Sequence, residues 1–264
     1  MLAMENDSIR TINFYDLQLH TGTFNDVAQW IIHQSLIREA VLPTIIAHVN
    51  VHNYYELIKN QPFKRELQQN SFLLFDGIGL KGAAFIAGLG WLPDLNGTDL
   101  FPLIMGKGSE KQLKIYCLGT ELGVIERAVN KIRYRFPRIL VTGYRHGYFK
   151  PNEEKEVVEE INASKADMLI IGMGFITQEK FALRYRKQLD VKVIWNVGGL
   201  FDIVSEEKPR TPLFMRKLRL EWLFRLLLEP RRRWKRIFVS APYFFVNFLM
   251  YRVRNIIRYI TGTT

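Results

Sequence analysis

The sequence predicts an α/β protein: a body built on a parallel sheet, followed by a basic, aromatic helical appendage. Two observations carry this. Between Lys111 and Asn196, short apolar or β-branched runs alternate with helix-length segments, the signature of strand–helix–strand crossovers. Charge is also partitioned along the chain. The 264 residues carry a net charge of +11, yet residues 1–209 hold 24 of each sign, while residues 210–264 hold 13 Lys and Arg against 2 Asp and Glu. With 48% apolar residues the chain can bury a sizeable core, which excludes disordered and disulfide-stapled classes.

The elements follow in order. After a short polar start, residues 43–50 (PTIIAHVN) read as a buried strand and 51–60 as a helix. Residues 71–75 (SFLLF) read as a second strand that ends on Asp76-Gly77-Ile78-Gly79, with a buried helix over 80–89. The regular alternation then gives strands at 113–118, 139–142, 168–172 and 191–196, and helices at 123–136, 152–164 and 176–188. A sheet of this kind binds ligands beyond the carboxyl ends of its strands. The loops there are 119–121, 143–149, 172–178 and 196–202, and three of them place glycine beside polar side chains, as backbone does where it approaches a phosphate or sugar. The segment 205–212 (SEEKPRTP) reads as a linker, dividing a body (1–209) from an appendage (210–264).

Asp76 stands at a strand end beside flexible glycines, where a carboxylate either accepts a proton from a substrate hydroxyl or caps the next helix. His48 and Asn50 lie on alternate residues of the first strand end, hence on one face, and stand beside Asp76 if the two strands are neighbours. Gln178-Glu179 opens a helix, which suits either a ligand or ordinary helix-start chemistry. Gly172-Met173-Gly174 is only half of a dinucleotide fingerprint, because Thr177 stands where the third glycine belongs. None of the five histidines forms an HxxxH pattern with an acid in between and no DxD occurs, so no metal ligands and no cofactor are read. The lone Cys117 cannot form an internal disulfide.

In the appendage, residues 213–228 read as one helix with charges four apart, followed by Pro230-Arg231-Arg232-Arg233-Trp234-Lys235-Arg236 and an aromatic-rich run that includes Phe238, Tyr243, Phe244, Phe245 and Phe248. The run is interrupted by Ser240, Pro242 and Asn247 and falls short of the roughly 20 apolar residues a spanning helix needs. Cations beside so many apolar aromatics fit the interface of an anionic membrane and argue against nucleic acid. Such a surface is also one that a homo-oligomer would bury. Residues 1–10 lack a basic segment followed by an apolar one, so no signal peptide is read.

Together these segments resemble the WecG/TagA/CpsF family of bacterial glycosyltransferases, collinearly from about Ile45 to Phe245. The resemblance rests on the strand end at Asn50, LFDGIGL around Asp76, NGTDL at 96–100, YCLG at 116–119, GYF at 147–149, GMGFITQEKF at 172–181, NVGGLFD at 196–202 and EWLFRLLLEPRRRWKR at 221–236. It implies a Rossmann-like body and an inverting, metal-independent transfer from a UDP-sugar of the N-acetylmannosamine type, or a related hexose, to a sugar on undecaprenyl diphosphate. The setting it implies is the cytoplasmic face of the bacterial membrane, with the protein bound peripherally. By this likeness Asp76 is the base and Asn50 assists it. Gln178, Tyr148, Asp202 and the Gly198-Gly199 turn line the donor pocket, while Arg225, Arg232 and Arg236 close over the diphosphate and meet the membrane. Two positions depart from the family pattern: His48 replaces a usual threonine and is expected to share the proton transfer, and Asp94 replaces a usual arginine. A non-catalytic membrane scaffold or UDP-sugar-binding protein is the competing class, distinguished by the absence of UDP release.

Overall fold

The computed structural model describes residues 9–37, 42–218 and 220–261. The chain opens with β1 (Arg10–Phe14), β2 (Leu17–Thr21) and α1 (Phe24–Leu36). Next come β3 (Thr44–Val49), α2 (Val51–Lys59), α3 (Gln61–Asn70), β4 (Ser71–Phe75), α4 (Ile78–Ile86) and α5 (Gly97–Glu110). The alternating part comprises β5 (Lys114–Gly119), α6 (Leu122–Arg135), β6 (Leu140–Arg145), α7 (Glu154–Ala163), β7 (Met168–Gly172), α8 (Thr177–Tyr185), β8 (Val193–Asn196) and α9 (Leu200–Val204). The appendage contributes α10 (Leu213–Lys217), α11 (Glu221–Leu228), α12 (Pro230–Lys235), a π-helical turn (Arg236–Ser240) and α13 (Ala241–Thr261).

Eight strands form one sheet in the order β1-β2-β4-β3-β8-β7-β5-β6. The six from β3 to β8 run parallel as predicted; β1 is antiparallel to β2, which joins the edge of β4. The parallel sheet expected from the sequence thus gains two strands, β1 and β2, at its N-terminal edge. That hairpin was read as a polar start because its tight turn carries no glycine or asparagine. Tyr15 itself takes the left-handed conformation (φ 64°) there, an uncommon place for an aromatic.

The second unforeseen element is α5, whose Gly97, Pro102, Gly106 and Gly108 all oppose a helix by propensity. Its start is capped by Asn96, whose side-chain oxygen accepts from the Asp99 amide at 2.9 Å. Tertiary burial of Leu100, Phe101, Ile104 and Met105 then overrides the propensities. These side chains join Ile46, Leu74, Ile115, Met168 and Trp195 on one face of the sheet, together with α1, α6 and α9. The opposite face carries α2 and α4 over Ala47, Val49 and Phe75, and α7 and α8 over Leu169, Ile171 and Ile194. The helix after β8 therefore leaves toward one face and the helices after its neighbours β3 and β7 toward the other. Their diverging loops open a crevice at the carboxyl edge, the switch point at which such sheets take ligands.

The appendage does not stand apart from this core. Phe244 and Phe248 of α13 are fully buried among Phe14, Tyr54, Leu73 and Phe75, with the Phe244 ring edge-on to Tyr54 at 5.4 Å. The Tyr15 hydroxyl donates to the Asn247 carbonyl at 2.8 Å. Of the aromatics read as one exposed membrane face, these two belong instead to the core. Phe238, Tyr243, Val246, Leu249, Met250 and Val253 remain exposed. The stretch read as a single helix over 213–228 is broken into α10 and α11. Among the described residues no helix is long and apolar enough to cross a membrane.

Candidate active site

Strands β3 and β4 are paired in register up to Val49 and Phe75, so the next residue of each, Asn50 and Asp76, emerges side by side. Asn50 caps α2: its side-chain oxygen accepts from the amides of His52 and Asn53, both at 3.0 Å. That leaves its amide nitrogen to reach Asp76 Oδ2 at 3.4 Å. The chain returns to the same place after α4. The Leu95 amide donates to the Phe75 carbonyl at 2.9 Å, and Asp94 Oδ1 accepts from the Gly77 amide at 2.8 Å. Burial pushes the Asp76 carboxyl above its usual value, against the pull of the Asn50 hydrogen bond and of Arg225. Burial, reinforced by the Asp76 charge, pushes Asp94 up as well. From the appendage, α11 brings Arg225 and Glu221, paired with each other, within electrostatic range of Asp76.

His48 lies close by, yet its role differs from the one the sequence suggested. Its Nδ1 donates to the Leu95 carbonyl at 3.0 Å and its Nε2 accepts from the Trp195 indole at 3.0 Å. Both ring nitrogens are committed, and burial lowers its pKa to about 4, so the imidazole is neutral and braces the loop that carries Asp94.

The other end of the crevice is built mostly from backbone. A cleft of about 260 Å³ is lined by Thr120, Gly147, Tyr148, Gly172, Met173, Gly174, Gly198, Gly199, Asp202 and Lys208, among others. Its loops are tied together: the Thr120 amide donates to the Gly172 carbonyl at 3.1 Å, and the Gly147 amide to the Thr120 carbonyl at 2.9 Å. Only glycine fits at 119, where φ is +148° and a Cβ would stand 2.4 Å from the Gly172 carbonyl oxygen. Asp202 accepts from the Thr120 hydroxyl at 2.8 Å and pairs with Lys208. Tyr148 is 74% exposed at the mouth.

Gln178, read as a pocket-lining residue, is buried behind this turn. Its oxygen accepts from the Gly198 amide at 3.0 Å and its nitrogen donates to Glu179 at 2.7 Å. Glu179, fully buried and pushed up to about 7 by that burial, also accepts from the Ile176 amide at 2.7 Å. Ile176 has φ 79°, a strained position for a β-branched residue, held by this bond at the edge of the crevice. At the end of β8 the side-chain amide of Asn196 is buried with no hydrogen-bond partner among the described residues.

A chain of charges joins the cleft to the appendage. Lys208 bridges Asp202 and Glu229, the latter at 3.1 Å, and Glu229 meets Arg233 at 3.0 Å. Burial raises Glu229, but Lys208 and Arg233 outweigh it and hold the carboxyl near 2. Arg236 begins the π-helical turn, whose Ser240 hydroxyl lies 3.0 Å from His52 Nδ1 on α2. Arg232 lies in α12, and its side chain falls outside the described residues. Lys208, Glu229 and Glu221 were not singled out as site residues. In the sequence Lys208 reads as linker and the two glutamates as partners of i,i+4 pairs, and only the folded chain sets them beside the cleft and Asp76. Among the described residues no three His, Cys, Asp or Glu side chains converge as metal ligands would.

The fold and site define an α/β enzyme with a half-buried carboxyl at one end of its carboxyl edge and a glycine-lined cleft at the other. The chain belongs to the glycosyl transferase WecG/TagA/CpsF family, whose model matches residues 12–258, and is a glycosyltransferase. It is similar to the N-acetylglucosaminyldiphosphoundecaprenol N-acetyl-beta-D-mannosaminyltransferases of several bacteria. The Bacillus spizizenii protein is 32% identical over 188 residues, covering 71% of this chain and 72% of that one. The Bacillus subtilis protein is 32% identical over 198 residues (75% and 76%), and that of Staphylococcus aureus 30% over 196 (74% and 71%).

Proposed function

We propose that this protein transfers an N-acetylmannosamine-type sugar, or a related hexose, from a UDP-sugar to a sugar carried on undecaprenyl diphosphate, in the assembly of a bacterial cell-surface polysaccharide. The observation that carries the reading is Asp76: a half-buried carboxyl with raised proton affinity, beside the Asn50 amide, on the same sheet edge as the glycine cleft. The relatives named above act on a lipid-diphosphate acceptor of this kind, which supports the acceptor class.

In this reading Asp76 takes the proton of the acceptor hydroxyl as that oxygen attacks the anomeric carbon. The bond from that carbon to UDP breaks, UDP departs with the electron pair, and the single displacement inverts the centre. The donor sits in the cleft, with Gly198-Gly199 and Asp202 at its wall and Tyr148 at its mouth. Strands β4 and β7 stand three spacings apart, roughly 14 Å at about 4.8 Å each, and the donor bridges that span. Arg225, Arg232 and Arg236 supply the positive charge that a departing diphosphate requires, in place of a metal ion. Residues 210–264 act as an appendage that closes over the body (1–209) and holds it peripherally at the cytoplasmic face of the membrane. Its exposed apolar side chains enter the bilayer interface and its cations meet anionic headgroups. Without a bilayer, the same face is the one a homo-oligomer buries.

Purified protein offered a panel of UDP-sugars with prenyl-diphosphate-linked acceptors releases UDP only when both substrates are present. Absence of turnover with every pair, in detergent and in bilayers, would overturn this reading.

A further inference from the structure

We propose that Asp94 is a positioning residue for the transfer: its carboxyl shares one proton with Asp76 while pinning the Gly77 amide, so that the base works as half of a carboxyl pair. This deepens the reading of Asp76 as the base and rests on it.

The geometry comes first. The backbone bond from Leu95 to Phe75 brings Asp94 to the end of β4, where one oxygen accepts from the Gly77 amide at 2.8 Å. The same side chain hydrogen-bonds to Asp76. Two carboxylates can make that bond only if one of them carries the proton. The surrounding charges agree. From β3, His48 contributes a neutral ring. From α4, Lys81 contributes an ammonium, seated over the Trp91 ring at 4.7 Å and acting on Asp94. From α11 come Glu221 and Arg225. The carboxylates of Asp76, Asp94 and Glu221 thus face the cations Lys81 and Arg225, and a single added proton makes the cluster neutral. Burial raises both carboxyls; the Asp76 charge adds to the rise of Asp94, which reaches about 7, while the Asn50 amide, Arg225 and the Asp94 hydrogen bond act against the rise of Asp76, so the pair holds one proton between its two members. With one proton held between the two, the pair keeps one carboxylate ready to take the acceptor proton, and Asp94 fixes the turn at Gly77 from which α4 departs. When Asp76 takes that proton the pair holds two, and the extra proton leaves to solvent after the product does.

Asp94→Asn tests this, because an asparagine keeps both bonds, accepting from Gly77 and donating to Asp76, yet cannot titrate. The first readout needs no activity. A carboxyl whose folded pKa lies near 7, against about 4 unfolded, adds stability that is complete below pH 4 and is lost as pH rises through 7. The unfolding equilibrium constant of the wild type, relative to Asp94→Asn, should therefore rise on the order of tenfold or more between pH 5 and pH 8. Parallel stability curves for the two proteins would refute the shared proton. The second readout is the pH profile of kcat/KM for UDP release from UDP-N-acetylmannosamine with a prenyl-diphosphate-linked acceptor. The wild type should fall through an inflection near pH 7 that Asp94→Asn lacks, and Asp94→Ala, which loses both bonds, should turn over at least tenfold more slowly at pH 6 than Asp94→Asn. An inflection unchanged in Asp94→Asn would remove the role in transfer. If no substrate pair gives turnover, the assigned activity fails, while the stability curves still decide whether the proton is shared.

Discussion

The two ends of the crevice solve different problems with different chemistry. At the β4 end, two half-buried carboxyls, an asparagine amide and the Glu221–Arg225 pair create a concentrated, titratable field. At the β5–β8 end the lining is largely glycine and backbone, and the polar side chains, Gln178, Glu179, Thr120 and Asp202, are tied to one another or to main chain. Groups that must change protonation state are set in low dielectric beside like charge, which moves their pKa values. Groups that only hold a ligand are better immobilised, because a fixed turn loses less entropy on binding.

This contrast can be broken by substitution at either end. The largest effect is expected for Asp76→Asn: turnover falls by about 100-fold or more, the scale of lost general-base catalysis, while calorimetry finds UDP-sugar binding intact. Near-normal turnover would remove Asp76 from its role. Next comes Gly172→Ala, whose new Cβ would stand 2.6 Å from the Phe201 ring and 2.9 Å from the Gly198 carbonyl. Overpacking of about 1–3 kcal/mol at the cleft wall should raise the donor KM by roughly tenfold or more, with kcat little changed. A fall in kcat alone would mean that the two ends are not separable.

Smaller still is Gln178→Ala. It removes the bond to the Gly198 amide, worth about 1 kcal/mol, and should raise the donor KM by roughly fivefold without moving the pH profile of kcat/KM. A shifted profile would show that Gln178 touches the proton chemistry. The smallest effect belongs to the appendage: Phe238→Ala, at an exposed site, should weaken binding to anionic vesicles by about threefold and leave the melting temperature unchanged. Unaltered vesicle binding would place the membrane contact elsewhere.

Much of the candidate site was legible because strand ends and glycine turns leave local marks. The β4 strand stops at Asp76-Gly77, and each loop of the cleft announces itself by glycine after an apolar run. What could not be read were roles set by partners distant in sequence. His48 looks like a catalyst until Trp195, 147 residues away, is seen to occupy its second nitrogen. Gln178 looks like a ligand until Gly198 is found on its oxygen. Asp94 looked like a missing arginine, and only the return of the chain to β4 makes it the partner of Asp76.

The sequence by itself determined the parallel α/β body, the strand-end position of Asp76 and the concentration of positive charge after residue 209. Periodicity, glycine placement and charge are properties of contiguous residues, and they survive without knowledge of contacts. Tertiary structure alone decided the N-terminal hairpin, the helix built on Gly97–Glu110, the burial of Phe244 and Phe248 in the body's core, and which carboxyl and imidazole groups face one another. Those outcomes depend on desolvation and on packing between segments far apart in the chain, and such energies can overturn local propensities worth about 1 kcal/mol or less per residue.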